Sequence, residues 1–358
     1  MKSKEETQAA APRASRHRAR AVASRILAVA SRTQAAPSFA FAIILLASSS
    51  PSLAQSTAAQ PSAARRRQQQ AQITQAQAEL YERWRANINL NQQTAFEAGR
   101  EYVGKYPKDE YGARVGKWVE AYERAARKLE FESLLFKEKK YAAAYAVGKR
   151  VLSAEPDNLR TIINLASAGY LASNAGDASH NAETLLYARR ATELIERGGN
   201  PSDWKPFAGR PDALAYLNFI TGELILKETP AESVAYFRKA IESEGAVKHT
   251  PIVYSRLAAA YVAGMYEPLA KRFMSNGGEA RTPESEEDKA AFTKLNAVVD
   301  RIIDAYARAV ALSGTDAQYQ EARARWMEQL TQFYKFRNND KTDGLDAYIT
   351  GATAKPLP

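Results

Sequence analysis

The stretch KKYAAAYAVGKRVLSAEPDN, residues 139–158, constrains this chain more than any other. Tyr141, Ala144, Gly148, Val151 and Leu152 recur every three or four residues, which places them on one face of a helix. Ala and Gly let a second backbone approach closely, while Tyr, Val and Leu supply bulk that interdigitates. Pro156 cannot continue the helix, and Asp157-Asn158 offer turn and cap chemistry for the next one. The pattern predicts the second helix of a helical hairpin.

The same grammar recurs. QTAFEAGREYVGKYPKDEYG (93–112) sets Ala95, Gly99, Tyr102 and Pro107 at the offsets of Ala144, Gly148, Val151 and Pro156. ETPAESVAYFRKAIESEG (228–245) has Phe237 and Ala240 three apart, with Gly245 where the proline stood. IVYSRLAAAYVAG (252–264) puts Tyr254, Leu257, Ala258 and Tyr261 on one face, as the first helix of a pair requires. RIIDAYARAVALSG (301–314) spaces Tyr306 and Ala309 three apart and ends in Gly314. Helix starts agree. Thr229-Pro230-Ala231-Glu232 reads as a capping box with proline at the first helical position, and Thr250-Pro251 and Thr282-Pro283 repeat the device. Glu284, Glu286, Glu287 and Asp288 then fall in a first turn, where carboxylates favour the helix dipole.

These segments resemble tetratricopeptide repeats, whose helix-turn-helix unit runs about 34 residues. Tyr254, Leu257, Ala258 and Tyr261 match the family's first-helix positions one for one. In the second helix Ala144 and Pro156 fit, while Gly148 and Val151 replace an aromatic and an Ala; Phe237 and Ala240 fit, with Ser233 for Ala. The resemblance spans about 78–337 with an uneven period, its insertions being ASNAGDASHNAE (172–183), GGNPSDWKPFAGRPD (198–212) and SNGGEARTPESEED (275–288). It implies an all-α fold: an α-solenoid of stacked antiparallel helix pairs forming a right-handed superhelix. The inner face, lined by first helices, would bind a peptide or a partner's helix. Its polar candidates are Arg114, Asn164, Asn218, Ser255 and Arg256. Trp204 and Phe207, beside Lys205 and Arg210 in an insertion, are further contact candidates, although aromatics that pin down a loop explain them more simply. Asn164 occupies one place of the family's carboxylate clamp, but Arg114 and Trp118 stand where the preceding repeat should match it, so no clamp is expected.

Charge sits at one end. The net charge is +10, and residues 1–70 carry eleven Lys/Arg against two Glu, leaving the other 288 residues nearly neutral. The leader has an Arg-rich n-region, the apolar stretch FAFAIILLA (39–47) and small residues at Ser52-Leu53-Ala54. This is the layout of a secretory signal cleaved near Ala54, and the apolar stretch is well short of the ~20 residues of a membrane span. The expected organisation is a leader (1–54), a disordered low-complexity linker (55–77), the repeat domain (78–337) and a C-terminal tail (338–358). The rival reading keeps the basic arm for nucleic acid in a cytoplasmic protein.

Chemistry is scarce. There is no cysteine, which excludes disulfides, thiolate metal sites and cysteine nucleophiles. The three histidines, His17, His180 and His249, form no ligand pair, and no phosphate loop or nucleophile elbow occurs. No catalytic residue, metal ligand or cofactor is expected. The reading is a non-catalytic scaffold or adaptor of the bacterial cell envelope with a protein or peptide partner. The alternative is an envelope accessory that binds glycan or a nascent outer-membrane protein.

Overall fold

The computed structural model describes residues 63–273 and 285–358. The chain divides into two units, residues 1–66 and 67–358. Of the first only Ala63–Arg66 are described, as the opening of a helix, and the fold is that of the second. The leader, its cleavage site near Ala54, Thr282-Pro283 and Glu284 lie outside the described residues.

Among the described residues the fold is all-helical and contains no strand. In chain order the helices are α1 (Ala63–Asn87), α2 (Gln92–Lys105), α3 (Gly112–Glu132), α4 (Tyr141–Ala154), α5 (Leu159–Asn174), α6 (Asn181–Glu196) and α7 (Arg210–Ile225). They continue with α8 (Pro230–Glu242), α9 (Pro251–Tyr261), α10 (Glu267–Lys271), α11 (Glu286–Ser313), α12 (Gln320–Arg337) and α13 (Leu345–Ala352). Single π turns, Ser133–Lys137 and Val262–Tyr266, extend α3 and join α9 to α10. Consecutive helices pack on one another from α2 to α9; α11 packs on α9 and carries α12 and α13.

The recurring small residues sit where helices meet. A Cβ on Gly148 would lie 2.8 Å from both Leu165 Cδ2 and Phe131 Cζ, so side chains of α5 and α3 fill the space beside α4 that a Cβ would take. On Gly99 it would lie 2.9 Å from Val119 and 3.0 Å from Trp84. Ala95, Tyr102, Ala144, Val151, Phe237, Ala240, Tyr254, Leu257, Ala258 and Tyr261 are all buried, and Tyr141 is half-buried. α2 and α4 end two residues before Pro107 and Pro156, which stand in the turns. Asn158 then caps α5, its Oδ1 accepting from Thr161 N at 3.0 Å. In the matching turn after α2, the Tyr102 hydroxyl donates to Asp109, whose carboxylate also accepts from Tyr111 N at 3.1 Å. Burial and that carboxylate push the Tyr102 hydroxyl up to about 12.

Three expectations change. The low-complexity stretch is not all linker, because α1 begins at Ala63; its Ala, Gln and Arg are good helix formers even without an apolar stripe. The capping boxes do not close. Thr229 and Thr250 precede α8 and α9, with proline at the first helical residue, but neither side chain accepts from the helix; Thr250 Oγ1 donates back to Val247 O at 2.8 Å. Ser285 caps α11 instead, accepting from Asp288 N at 3.0 Å. Finally, residues 338–358 are no loose tail, since Leu345 and Ala352 of α13 belong to the largest core cluster and Tyr348 and Leu357 pack against it.

Candidate functional site

Two polar clusters form where helices two apart in the chain meet, α3 with α5 and α7 with α9. The larger is a recess of about 290 Å³ between the C-terminal half of α3, the N-terminal half of α5 and the loop after α6. Arg160, in the first turn of α5, binds it together: its Nε donates to Glu132 Oε1 at 2.8 Å, and its guanidinium also pairs with Asp203 of the loop. That pairing, helped by the Lys205 N–H, holds the Asp203 carboxyl below its usual range. Lys128 pairs with Glu155 at 2.7 Å, and the Asn158 amide donates to the same carboxylate at 2.7 Å.

One polar side chain in the recess stands apart. Asn164 lines it, is 2% exposed, and makes no side-chain hydrogen bond among the described residues. Although the residue is mostly buried, its amide atoms are not sealed from solvent, so they stay open to water or to a ligand in the recess.

The second cluster joins α7 to α9. Glu223 Oε1 lies 3.0 Å from Arg256 Nε, yet this buried oxygen receives no well-directed hydrogen bond. Burial pushes the Glu223 carboxyl up, and Arg256 pulls it part of the way back. Tyr170 of α5 stands beside it, edge-on to Tyr216 (6.4 Å) and Phe219 (5.8 Å) of α7.

The sequence candidates divide. Asn164 lines the recess, and Arg256 is exposed and paired with Glu223. Arg114 is exposed on α3, apart from both clusters. Asn218 and Ser255 are core residues satisfied by their own helices: Asn218 Nδ2 donates to Leu214 O and Ser255 Oγ to Ile252 O, each at 2.8 Å. That local bond occupies one Asn218 amide N–H and the Ser255 hydroxyl proton. Trp204 and Phe207 are half-buried against the core, Phe207 lying 5.5 Å from Tyr216. They pin the loop that carries Asp203 and Ser202 into the recess, and so act on it indirectly. Arg160, Glu132, Asp203 and Glu223 escaped the sequence reading. Their only signal was charge in the first or last turn of a helix or within an insertion, which many solvated residues share.

Among the described residues no group of three or more His, Asp or Glu side chains is placed to hold a metal ion, and no helix is long and apolar enough to cross a membrane. No family model matches the chain, and no curated protein or solved structure matches it.

Proposed function

We propose that this chain is a non-catalytic scaffold or adaptor of the bacterial cell envelope, exported by its basic leader. Its helix pairs stack as a right-handed α-solenoid of tetratricopeptide type, and its first-helix face receives a peptide or a partner's helix. Like-to-like contacts support the stacking. First helices are linked by Arg160–Glu132 (α5 to α3, 2.8 Å) and Arg256–Glu223 (α9 to α7, 3.0 Å). Second helices are linked by Lys149–Glu183 (α4 to α6, 2.8 Å) and Arg189–Glu232 (α6 to α8, 3.2 Å). A surface built by such repetition is suited to extended partners.

The observation that carries the functional reading is Asn164. An amide that opens onto a polar recess from an otherwise buried residue, and makes no hydrogen bond within the protein, is what a binding face keeps in reserve for a ligand's backbone or side-chain amide. The test places a photocrosslinking residue at Ser202, at Arg256 or, as a control, at the exposed Arg325 of α12 in the full-length protein in its native cells. Adducts are then identified by mass spectrometry together with the mature N-terminus. One polypeptide captured at 202 and 256 but not at 325, on a chain beginning near Gln55, supports the proposal. Equal labelling at 325, or an intact basic arm, contradicts it, and a polysaccharide adduct transfers the site to the glycan reading.

A further inference from the structure

A second seat lies between α8 and α11, and it is occupied by the chain itself. Arg308 of α11 is 4% exposed and forms a two-pronged pair with Asp304, Nε to Oδ2 at 2.7 Å and Nη2 to Oδ1 at 3.2 Å. The same Nη2 donates to the main-chain oxygens of Lys355 (2.8 Å) and Pro356 (2.9 Å). On α8, Arg238 Nη1 donates to Pro358 O at 2.7 Å and to the Tyr261 hydroxyl at 3.2 Å. Leu357, between the two prolines, packs against the main core. The segment therefore runs from Arg308 of α11 to Arg238 of α8, and three of its four main-chain oxygens meet guanidinium groups.

The chemistry of the two sides is complementary. Pro356 and Pro358 have no N–H, so Lys-Pro-Leu-Pro presents an excess of acceptors over donors. A guanidinium carries five donors and no acceptor, which suits it to a main chain of that kind. The prolines also restrict the unbound segment, which lowers the entropy lost when it is seated. Leu357 supplies the apolar anchor. Nothing in the helix-pair grammar calls for two arginines here. Arg308 is buried at a position where its charge needs both Asp304 and further acceptors.

We propose that the α8–α11 groove is a peptide-docking site selective for Lys-Pro-apolar-Pro segments, and that residues 355–358 are its resident, reversibly held occupant. A tethered segment competes at an effective concentration in the millimolar range, so the wild-type chain resists the same peptide supplied from outside. Unseating the tether exposes the groove. Leu357→Lys does this by removing the anchor and bringing a positive charge toward Arg238 and Arg308, without touching the helices.

The experiment measures fluorescence anisotropy of a labelled peptide spanning residues 352–358 against three full-length proteins. Saturable binding to Leu357→Lys, at least about tenfold tighter than to wild type, is the expected result. Adding Arg238→Ala to Leu357→Lys should weaken that binding at least about tenfold, which locates it in the groove. A labelled peptide carrying Lys in place of Leu357 should not bind. Thermal melts accompany each titration to show that the variants are folded. Three results would overturn the proposal: no saturable binding to folded Leu357→Lys, equal binding to wild type, or binding indifferent to Arg238→Ala.

Discussion

Gly264 offers a sharp test of the packing. It lies in the π turn between α9 and α10, where an added Cβ would come 2.4 Å from Ala231 N, 2.6 Å from Ala231 Cα and 2.8 Å from Pro230 C. These are main-chain atoms at the start of α8 and cannot rotate away. Relief requires one helix to move by about 1 Å, at the upper end of the ~1–3 kcal/mol that overpacking costs. Alanine returns at most about 1 kcal/mol through its better helix propensity. Gly264→Ala should therefore destabilise by about 2 kcal/mol, lowering the melting temperature by roughly 4–8 °C. At Gly148 the obstructing atoms, Leu165 Cδ2 and the Phe131 ring at 2.8–2.9 Å, are side-chain ends that can give. There the two effects nearly cancel, and Gly148→Ala should cost about 0–1 kcal/mol. At Gly116 the nearest atom is 3.9 Å away, so Gly116→Ala should stabilise by about 0.5–1 kcal/mol. Thermal and denaturant unfolding of the three proteins gives the order directly. A Gly264→Ala protein as stable as wild type, or less affected than Gly148→Ala, would refute the close approach of α9 and α8.

Other perturbations address the polar clusters. Arg160→Ala releases Glu132 and Asp203 together and should cost about 1–2 kcal/mol, with faster amide exchange in residues 198–209 than elsewhere; unchanged exchange there would show that Arg160 does not fix the loop. Burial holds the Glu223 carboxyl above 4.5, so its favourable contribution is present below that unfolded-state value and is lost as pH rises through the folded-state value. Glu223→Gln stays neutral throughout, so its stability relative to wild type should increase as denaturant titrations move from about pH 4 to about pH 8; a constant difference contradicts the burial argument.

Much of the fold was legible because its determinants are local. Pro156 and Pro107 mark where α4 and α2 end, Asn158 caps α5, and the face of Ala144, Gly148 and Val151 is buried as its spacing requires. What failed was of two kinds. Some residues had a local alternative: Asn218 and Ser255 bond their own helices, and Thr250 bonds backwards, so a polar side chain did not mean an exposed one or a cap. Others depend on distant partners. Arg160 meets Asp203 only because the insertion after α6 folds back on its aromatics, and Arg308 meets Lys355 across 47 residues of sequence. No period or spacing encodes such pairs.

The reading of the recess turns on Asn164, and Asn164→Leu tests it most directly. Leucine removes an amide that opens onto the recess and makes no hydrogen bond within the free protein, so folding stability should change by no more than about 0.5 kcal/mol. Affinity for the polypeptide captured at Ser202 should fall at least about tenfold, the equivalent of roughly 1.4 kcal/mol. The account predicts that combination of undiminished stability and weakened binding, measured by calorimetry on the full-length proteins. Equal affinity in both, or a loss of stability as large as the loss of affinity, would contradict it.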